Sequence, residues 1–169
     1  MPLPHFRNSK SAMINDNEPV TYVKIVNKSH FDLPKYETRG SVGMDLRAYL
    51  SDPNPDQEIT LQPMERKMIP TGIYIELPFG YEAQVRPRSG LAIKHGISIV
   101  NCVGTIDSDY RGEVCVLLIN LSNEPFIIHN GDRIAQMIIN KVEIIRWNKV
   151  ESLSDTDRGI GGFSSTGTK

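Results

Sequence analysis

The 169-residue sequence contains only two cysteines, Cys102 and Cys115, and both lie inside apolar runs. They do not form a C-x-x-C pair, and no histidine lies at metal-ligand spacing from them. We therefore interpret them as small buried hydrophobic side chains, which is how free cysteine usually behaves in a core. Nothing in this pattern requires an oxidising compartment.

The sequence also has little net charge and no long hydrophobic run. Its 19 basic and 20 acidic side chains give a formal net charge of −1, which provides no electrostatic case for nucleic acid as a partner. No apolar run approaches the ~20 residues of a membrane span, and the first residues lack the apolar core of a signal peptide. We expect a cytoplasmic protein without a membrane partner and with a loose segment over residues 1–19; Met13 is an alternative first residue.

Convincing helical periodicity and internal repeats are absent as well. With 39% hydrophobic and 23% charged residues, the composition is that of one ordinary globular domain. Many short β-type runs are separated by proline and glycine turns, which favours an all-β sandwich, barrel or jelly roll, with one or two helical turns over residues 89–95. The predicted strands are residues 20–26, 44–49, 67–76, 81–86, 97–101, 114–121, 126–128 and 134–145.

The sequence predicts one folded domain followed by a carboxy-terminal tail. The domain is expected over residues 20–147, and its run 114–119 does not alternate, which predicts cover on both faces, one of them provided by another subunit. Residues 148–169 are expected to form a flexible tail that contains RGIGGFSSTG, residues 158–167. Four glycines, one arginine and Phe163 cannot build a core, so a disordered end is one interpretation. A lid that orders on a phosphate ligand explains both the glycines and the aromatic ring.

The segment GTIDSDYRGEV, residues 104–114, is the most informative in the chain. Strand-like runs on either side of it predict a hairpin whose tip carries Asp107, Asp109 and Tyr110. A carboxylate held there can take a proton from a water molecule beside a bound substrate. Both aspartates are also ordinary turn residues, and this alternative is favoured when the segment is considered alone.

Three other segments carry candidate site residues, and the second of them is suited to a phosphate ligand. GSVGMDLRA leads through a glycine-rich turn to Asp45, and RPRSGLA supplies Arg86, Arg88 and a flexible backbone. GDRIAQMII places the neutral amide of Gln136 in an apolar strand, where it must find partners. Taken singly, Asp45 is also explained as a turn or strand-edge carboxylate, the arginines as part of a solvated basic loop, and Gln136 as a residue that makes a structural hydrogen bond.

Together and in this order, the hairpin, these three segments and the tail closely resemble the motifs of the trimeric deoxyuridine triphosphatases (dUTPases), over about residues 23–169. Met44 stands where the family often has tyrosine. Ser164 stands where the tail usually has glycine, which affects how closely the backbone approaches phosphate. The resemblance implies an all-β, distorted jelly-roll (β-clip) subunit assembled as a homotrimer, with sites at the subunit boundaries. It also implies Mg²⁺-dependent hydrolysis of dUTP to dUMP and pyrophosphate, which keeps uracil out of DNA and supplies dUMP for thymidylate synthesis.

The resemblance further implies a role for each site residue. Asp107 would deprotonate the attacking water and contact the 3′-hydroxyl, Tyr110 would pack on the deoxyribose, and Asp45 would reach Mg²⁺ through water. Backbone groups would read the uracil edge at Asn101, Thr105, Ile106, Asp107 and Cys115. The phosphates would be held by Arg88, Ser89, Gly90 and Gln136. In the tail, Phe163 would cover the uracil while the γ-phosphate is closed in by Arg158, Ser165 and Thr166.

Two alternative functions remain. A deoxycytidine triphosphate deaminase shares this fold but uses a glutamate for deamination and typically has tryptophan where this chain has Tyr110. Residues 97–110 contain no glutamate, which argues against that alternative. A non-catalytic nucleotide-binding module would be expected to lack Asp107, which is present.

Overall fold

The structure, a computed structural model, describes residues 20–50 and 57–162. Within these ranges it consists of eleven short strands and one helix, which confirms the predicted all-β fold. The helix α1 spans Ser89–His95. The strands are β1 (Lys24–Asn27), β2 (Met44–Arg47), β3 (Glu58–Leu61), β4 (Arg66–Ile69), β5 (Ile73–Glu76), β6 (Tyr81–Arg86), β7 (Ile97–Ile99), β8 (Gly104–Ile106), β9 (Val116–Asn120), β10 (Phe126–His129) and β11 (Arg133–Lys141).

Antiparallel pairing arranges the described strands in four small sheets. The central sheet has the order β2-β11-β6-β8, and a second has the order β4-β9-β7. The pairs β1-β5 and β10-β3 complete the subunit. β11 is the longest strand of the central sheet, with nine residues, and it pairs with a neighbour on each side.

The core is built from aliphatic side chains that alternate along the strands. Ile73 and Ile75 of β5 and Val116 and Leu118 of β9 are all at least 95% buried. Such a side chain contributes about 1.5–3 kcal/mol when fully removed from water. On the other face of β9, Leu117 and its neighbours are only half-buried, so this chain by itself covers one face of the run 114–119. Cover of the second face by another subunit stays a prediction.

The strands differ from the predicted ones mainly at turns. The sequence predicts one strand over residues 67–76, but the structure divides it into β4 and β5. Pro70 offers no N–H to a ladder, and Gly72 takes a φ of 72°, so the chain turns between them. β3 and β8 are not predicted, because β3 alternates over only four residues and β8 has only three residues, too few for a strand pattern to stand out.

Helix α1 connects β6 to β7 and has the predicted bounds. It ends at Gly96, whose φ of 64° is left-handed and whose N–H donates to the Ala92 carbonyl at 3.1 Å. In the ranges that the structure covers, no helix has both the length and the apolar character needed to cross a membrane.

Candidate active site

Three of the predicted site segments meet in the central sheet. The register places Asp45 of β2 opposite Gln136 of β11, and Gln136 opposite Arg86 at the end of β6. The three residues therefore form one row across adjacent strands, although they are distant in sequence. The pairing of β11 with both β2 and β6 brings these three predicted site segments together.

Asp45, one member of this row, is held between two arginines that lie outside the row, Arg88 and Arg133. Its carboxylate forms an ion pair with Arg88 Nε at 3.0 Å and accepts a hydrogen bond from Arg133 Nη1 at 3.2 Å. Arg88 also donates through Nη1 to the Arg133 carbonyl at 2.9 Å. Two guanidinium groups beside one half-buried carboxylate leave the cluster with a net positive charge, which suits an anionic ligand. Arg133 is absent from the residues singled out in the sequence; its only signal there is its place three residues before Gln136.

Gln136 is fixed by its neighbours on both sides of the amide. Its Nε2 donates to the Pro87 carbonyl at 3.0 Å. Its Oε1 lies where a side chain on Gly43 would begin, because a Cβ at Gly43 would come within 2.5 Å of that oxygen. The structural hydrogen bond expected for a buried amide is thus present. The amide has a second N–H, so this bond leaves one donor for a ligand.

Ser89 and Gly90 begin helix α1 directly after Arg88 and are exposed. A Cβ at Gly90 would meet nothing within 4 Å in this chain. Packing in the single chain therefore does not demand glycine at this position. Close approach of a ligand or of another chain is consistent with the absence of a side chain there.

The predicted hairpin is present, but Asp107 does not lie at a free tip. β7 and β9 pair with Ser98 opposite Ile119, as a hairpin requires. Between them the chain leaves this sheet, and β8 pairs with β6, with Ile106 opposite Ala83. Asp107 follows directly after β8 and is exposed at the border of the central sheet. The connection is long enough to form a further strand, which the short polar pattern of residues 104–106 does not indicate.

The turn after Asp107 is closed by hydrogen bonds within it. The Tyr110 N–H donates to the Asp107 carbonyl at 3.2 Å. Arg111 Nη1 donates to the carbonyls of Ser108 at 2.7 Å and Tyr110 at 2.8 Å. The Tyr110 side chain is 43% exposed, so one side of its ring is accessible to a ligand.

Of the residues expected to read a base, Thr105 and Ile106 lie on β8, Asn101 precedes it and Cys115 directly precedes β9. Asn101 and Thr105 are exposed, whereas Ile106 and Cys115 are half-buried. β8 is the last strand of its sheet, so among the described residues its backbone has a ladder partner only on the β6 side. Burial, aided by the negative charge of Glu113, raises the pKa of the Cys115 thiol, which therefore stays protonated at neutral pH.

Asp107 and the arginine cluster are far apart within one chain. Ile106 pairs with Ala83, so Asp107 lies level with Glu82, whereas Asp45 lies level with Arg86. Four residues along β6 and three strand spacings across the sheet separate the backbones of Asp107 and Asp45 by about 19 Å. These two parts of the predicted site do not meet in a single copy of the chain.

The tail residues are placed only in part. Phe163, Ser165 and Thr166 lie outside the described residues. Arg158 is exposed, and its Nε donates to the Gly161 carbonyl at 2.8 Å, so it contacts neither the arginine cluster nor the Tyr110 turn. Residues 142–162 are exposed throughout.

Comparison with known proteins finds relatives over most of the chain. The dUTPase family profile matches residues 29–167. Deoxyuridine 5′-triphosphate nucleotidohydrolase of Finegoldia magna is 61% identical over 145 residues, which cover 86% of this chain and 98% of that protein. The Cytophaga hutchinsonii protein of the same name is 55% identical over 154 residues, covering 91% and 97%.

Solved structures share the fold at lower sequence identity. A dUTPase of Staphylococcus bacteriophage 80alpha with dUpNHpp superposes with a TM-score of 0.74 at 22% identity, covering 88% of this chain and 99% of that one. A phage phi11 dUTPase, described with a structural Mg(II) ion, has a TM-score of 0.69 at 19% identity, covering 80% and 100%. At these identities the likeness establishes the fold.

Proposed function

This chain belongs to the dUTPase family and hydrolyses dUTP to dUMP and pyrophosphate, and we propose that it does so at a site shared between copies of a homotrimer. The observation that carries the shared site is the separation of Asp107 from the Asp45–Arg88 cluster. A general base must lie within hydrogen-bond reach of the water that it activates, and the arginines must reach the phosphates of the same substrate. One chain does not satisfy both requirements, whereas two chains that face each other do.

In this proposal Asp107 is the general base. Its exposed carboxylate takes a proton from water, and the water oxygen forms a bond to the α-phosphorus. The bond from that phosphorus to the bridging oxygen breaks, pyrophosphate leaves with the electron pair, and dUMP remains. Asp107 also contacts the 3′-hydroxyl of the sugar.

In this proposal the base and the sugar are selected by residues in the Tyr110 turn and around β8, close to Asp107. The accessible face of Tyr110 packs on deoxyribose and leaves no space for a 2′-hydroxyl. Backbone groups around the unpaired edge of β8, with Asn101 and Cys115, pair with uracil. The methyl of thymine is too large for such a pocket, and cytosine presents the reversed donor and acceptor pattern.

The phosphates bind at the other part of the site. Arg88, Ser89, Gly90 and Gln136 hold them with charged groups and N–H donors. The tail of a third subunit closes over the substrate, with Phe163 on the uracil and the γ-phosphate contacted by Arg158, Ser165 and Thr166. Developing negative charge is then stabilised by groups already in place.

Mg²⁺ is the metal that this donor set fits. The structure offers one carboxylate, Asp45, beside two arginines, and residues 20–50 and 57–162 contain no group of three or more acidic, histidine or cysteine side chains that could hold a metal ion. Mg²⁺ keeps several waters and binds phosphate oxygens, so a single carboxylate that reaches its water shell is sufficient. When bound, Mg²⁺ would neutralise the charge of the phosphates and orient the triphosphate of the substrate for attack.

The proposed setting is the cytoplasm, because a triphosphate is too highly charged to cross a membrane unaided and the enzyme must meet its nucleotide pool. There the reaction keeps uracil out of DNA and supplies dUMP for thymidylate synthesis. The substrate is a free nucleotide, so neither nucleic acid nor a membrane is required as partner.

Product analysis in heavy-oxygen water tests the reaction. With dUTP and Mg²⁺ we expect dUMP and pyrophosphate, with the heavy oxygen in dUMP only, since attack is at the α-phosphorus. Turnover per unit concentration should be highest for dUTP among dUTP, dTTP, dCTP and UTP. Release of dUDP and phosphate, or formation of a uracil nucleotide from dCTP, would contradict the assignment.

A further inference from the structure

Glu113 connects the Tyr110 turn to the turn between β4 and β5. Its carboxylate Oε1 accepts from two backbone N–H groups, those of Thr71 at 3.0 Å and Gly72 at 2.6 Å. These residues form the turn between β4 and β5, and Thr71 is 99% buried. A carboxylate that accepts two backbone N–H groups is held by charge-assisted bonds, which are stronger than neutral ones.

The backbone around Glu113 is attached to the same turn. Glu113 forms a β-bridge with Tyr74. The next residue, Val114, donates its N–H to the Ile73 carbonyl at 2.8 Å and accepts from Thr71 Oγ1 at 2.5 Å. Residues 113–114 are therefore fixed to β5 by both backbone and side-chain contacts, in a buried region of the core.

Tyr110 depends on this attachment through its hydroxyl. The Tyr110 Oη donates to the Glu113 carbonyl at 3.1 Å. The ring lies so close to Gly112 that a Cβ there would clash with Tyr110 Oη and Cζ. The ring is thus confined between a glycine with no side chain and the carbonyl of Glu113, a residue held by its β-bridge to Tyr74 and by its carboxylate.

We propose that Glu113 is a positioning residue that sets the sugar specificity of the enzyme, by fixing the Tyr110 ring through its carbonyl while its carboxylate binds the Thr71–Gly72 turn. This inference rests on the proposed role of Tyr110 at the deoxyribose. A ring held against the sugar excludes a 2′-hydroxyl only while it cannot move away. Releasing Glu113 therefore reduces the preference for dUTP over UTP.

The test compares kcat/KM for dUTP and UTP in Glu113→Ala, Glu113→Gln and Glu124→Ala. We expect Glu113→Ala to lower the dUTP preference about 3- to 10-fold, the factor that a lost hydrogen bond implies, mainly through KM. Glu113→Gln retains an acceptor at Oε1 and should recover part of the preference. Glu124→Ala, an exposed glutamate outside the site, should match the wild type.

A second pair of variants covers the case in which Glu113→Ala does not assemble. Tyr110→Phe removes only the hydroxyl, and Gly112→Ala only crowds the ring; both should lower the same preference. An unchanged preference in Tyr110→Phe, or in a folded Glu113→Ala, overturns this inference. A wild type that hydrolyses UTP as well as dUTP contradicts the proposed role of Tyr110 instead, so the two failures are distinguishable.

Discussion

Asp107 is the residue on which the proposed chemistry depends most directly. Its side chain is exposed and follows an edge strand, so replacement by asparagine disturbs neither core nor sheet. We predict that Asp107→Asn binds dUTP with nearly wild-type affinity and hydrolyses it roughly 10²–10⁴-fold more slowly, because the amide cannot accept the proton. Binding by calorimetry and single-turnover hydrolysis measure the two effects.

Asp109 provides the control for this variant. It lies in the same turn and is also an exposed aspartate. Asp109→Asn should retain most activity if Asp107 alone is the base. Wild-type turnover in Asp107→Asn would remove the general-base assignment.

Gly43 is a second residue whose importance depends on a close approach. A Cβ at this position would lie 2.5 Å from Gln136 Oε1, so Gly43→Ala must displace the amide that is expected to bind phosphate. We predict that KM for dUTP rises about 3- to 10-fold, as for one net hydrogen bond, with a smaller change in kcat. Gly40→Ala is the matched control, because a Cβ there meets nothing within 4 Å. Equal KM values for the two variants would show that Gln136 does not contact substrate.

At the scale of elements, the turn after β9 is held by one buried amide. Asn120 Nδ2 donates to the carbonyls of Leu61 at 2.9 Å and Glu124 at 2.7 Å, and its Oδ1 accepts from Ser122 N at 2.9 Å. We predict that Asn120→Ala lowers the free energy of unfolding by about 2–3 kcal/mol, since buried carbonyls lose their donors. Urea unfolding at matched protein concentration measures it. The neighbouring exposed Asn123→Ala should change stability little, and similar values for both variants would contradict the prediction.

The carboxy-terminal segment is the element with the fewest contacts. The hydrogen bonds of residues 156–161 lie within that segment, and residues 148–162 are exposed. We predict that truncation after Trp147 leaves thermal unfolding and assembly nearly unchanged, retains uracil nucleoside binding and removes most hydrolysis. The lost groups are those expected to exclude water and orient the phosphates in the transition state.

Protease protection provides an independent measurement of this segment. A non-hydrolysable dUTP analogue with Mg²⁺ should slow tryptic cleavage after Arg158, which is exposed in the structure. Comparing the cleavage rates with and without the analogue shows whether ligand binding protects the tail. Unimpaired hydrolysis by the truncated chain would show that the tail is a solvated end and not a lid.

At the scale of the whole molecule, the separation of about 19 Å between Asp107 and Asp45 predicts complementation between inactive chains. Asp107→Asn and Arg88→Ala trimers, each inactive alone, should recover activity when dissociated together and reassembled. About a quarter of the sites in an equal random mixture then combine an intact Asp107 with an intact Arg88. Light scattering should report a trimer throughout.

Mixing without dissociation is the control for complementation, because mixed trimers form only when the chains of the two variants are exchanged. Activity should then stay at the level of the separate variants. Mass spectrometry identifies the mixed trimers. Mixed trimers without recovered activity would place each site within one chain and contradict the shared-site proposal.

The fold was predictable where local pattern and burial agree. The strand 81–86 has the predicted bounds because its apolar residues alternate, and α1 ends where Gly96 permits a left-handed turn. β8 could not be predicted, because its pairing with β6 is made by distant residues and not by its own composition. The predicted division into residues 1–19, 20–147 and 148–169 stays a prediction.

The candidate site was predictable in its residue types and not in its arrangement. The motifs indicated Asp107, Asp45, Arg88 and Gln136 by the groups that a nucleotide requires. They did not indicate Arg133, whose importance arises only when it meets Asp45 across the sheet. Nor did they indicate Glu113, whose partners belong to the turn between β4 and β5.

The sequence by itself determined the all-β class, the family and its reaction, because strand patterning and the ordered motifs are local properties of the chain. The tertiary structure decided which of those residues meet. Strand pairing placed Asp45 beside Gln136 and Arg133 and left Asp107 at the opposite edge of the same sheet. The physical reason is that hydrogen-bonded register depends on how all the strands bury their apolar faces together, which no segment specifies alone.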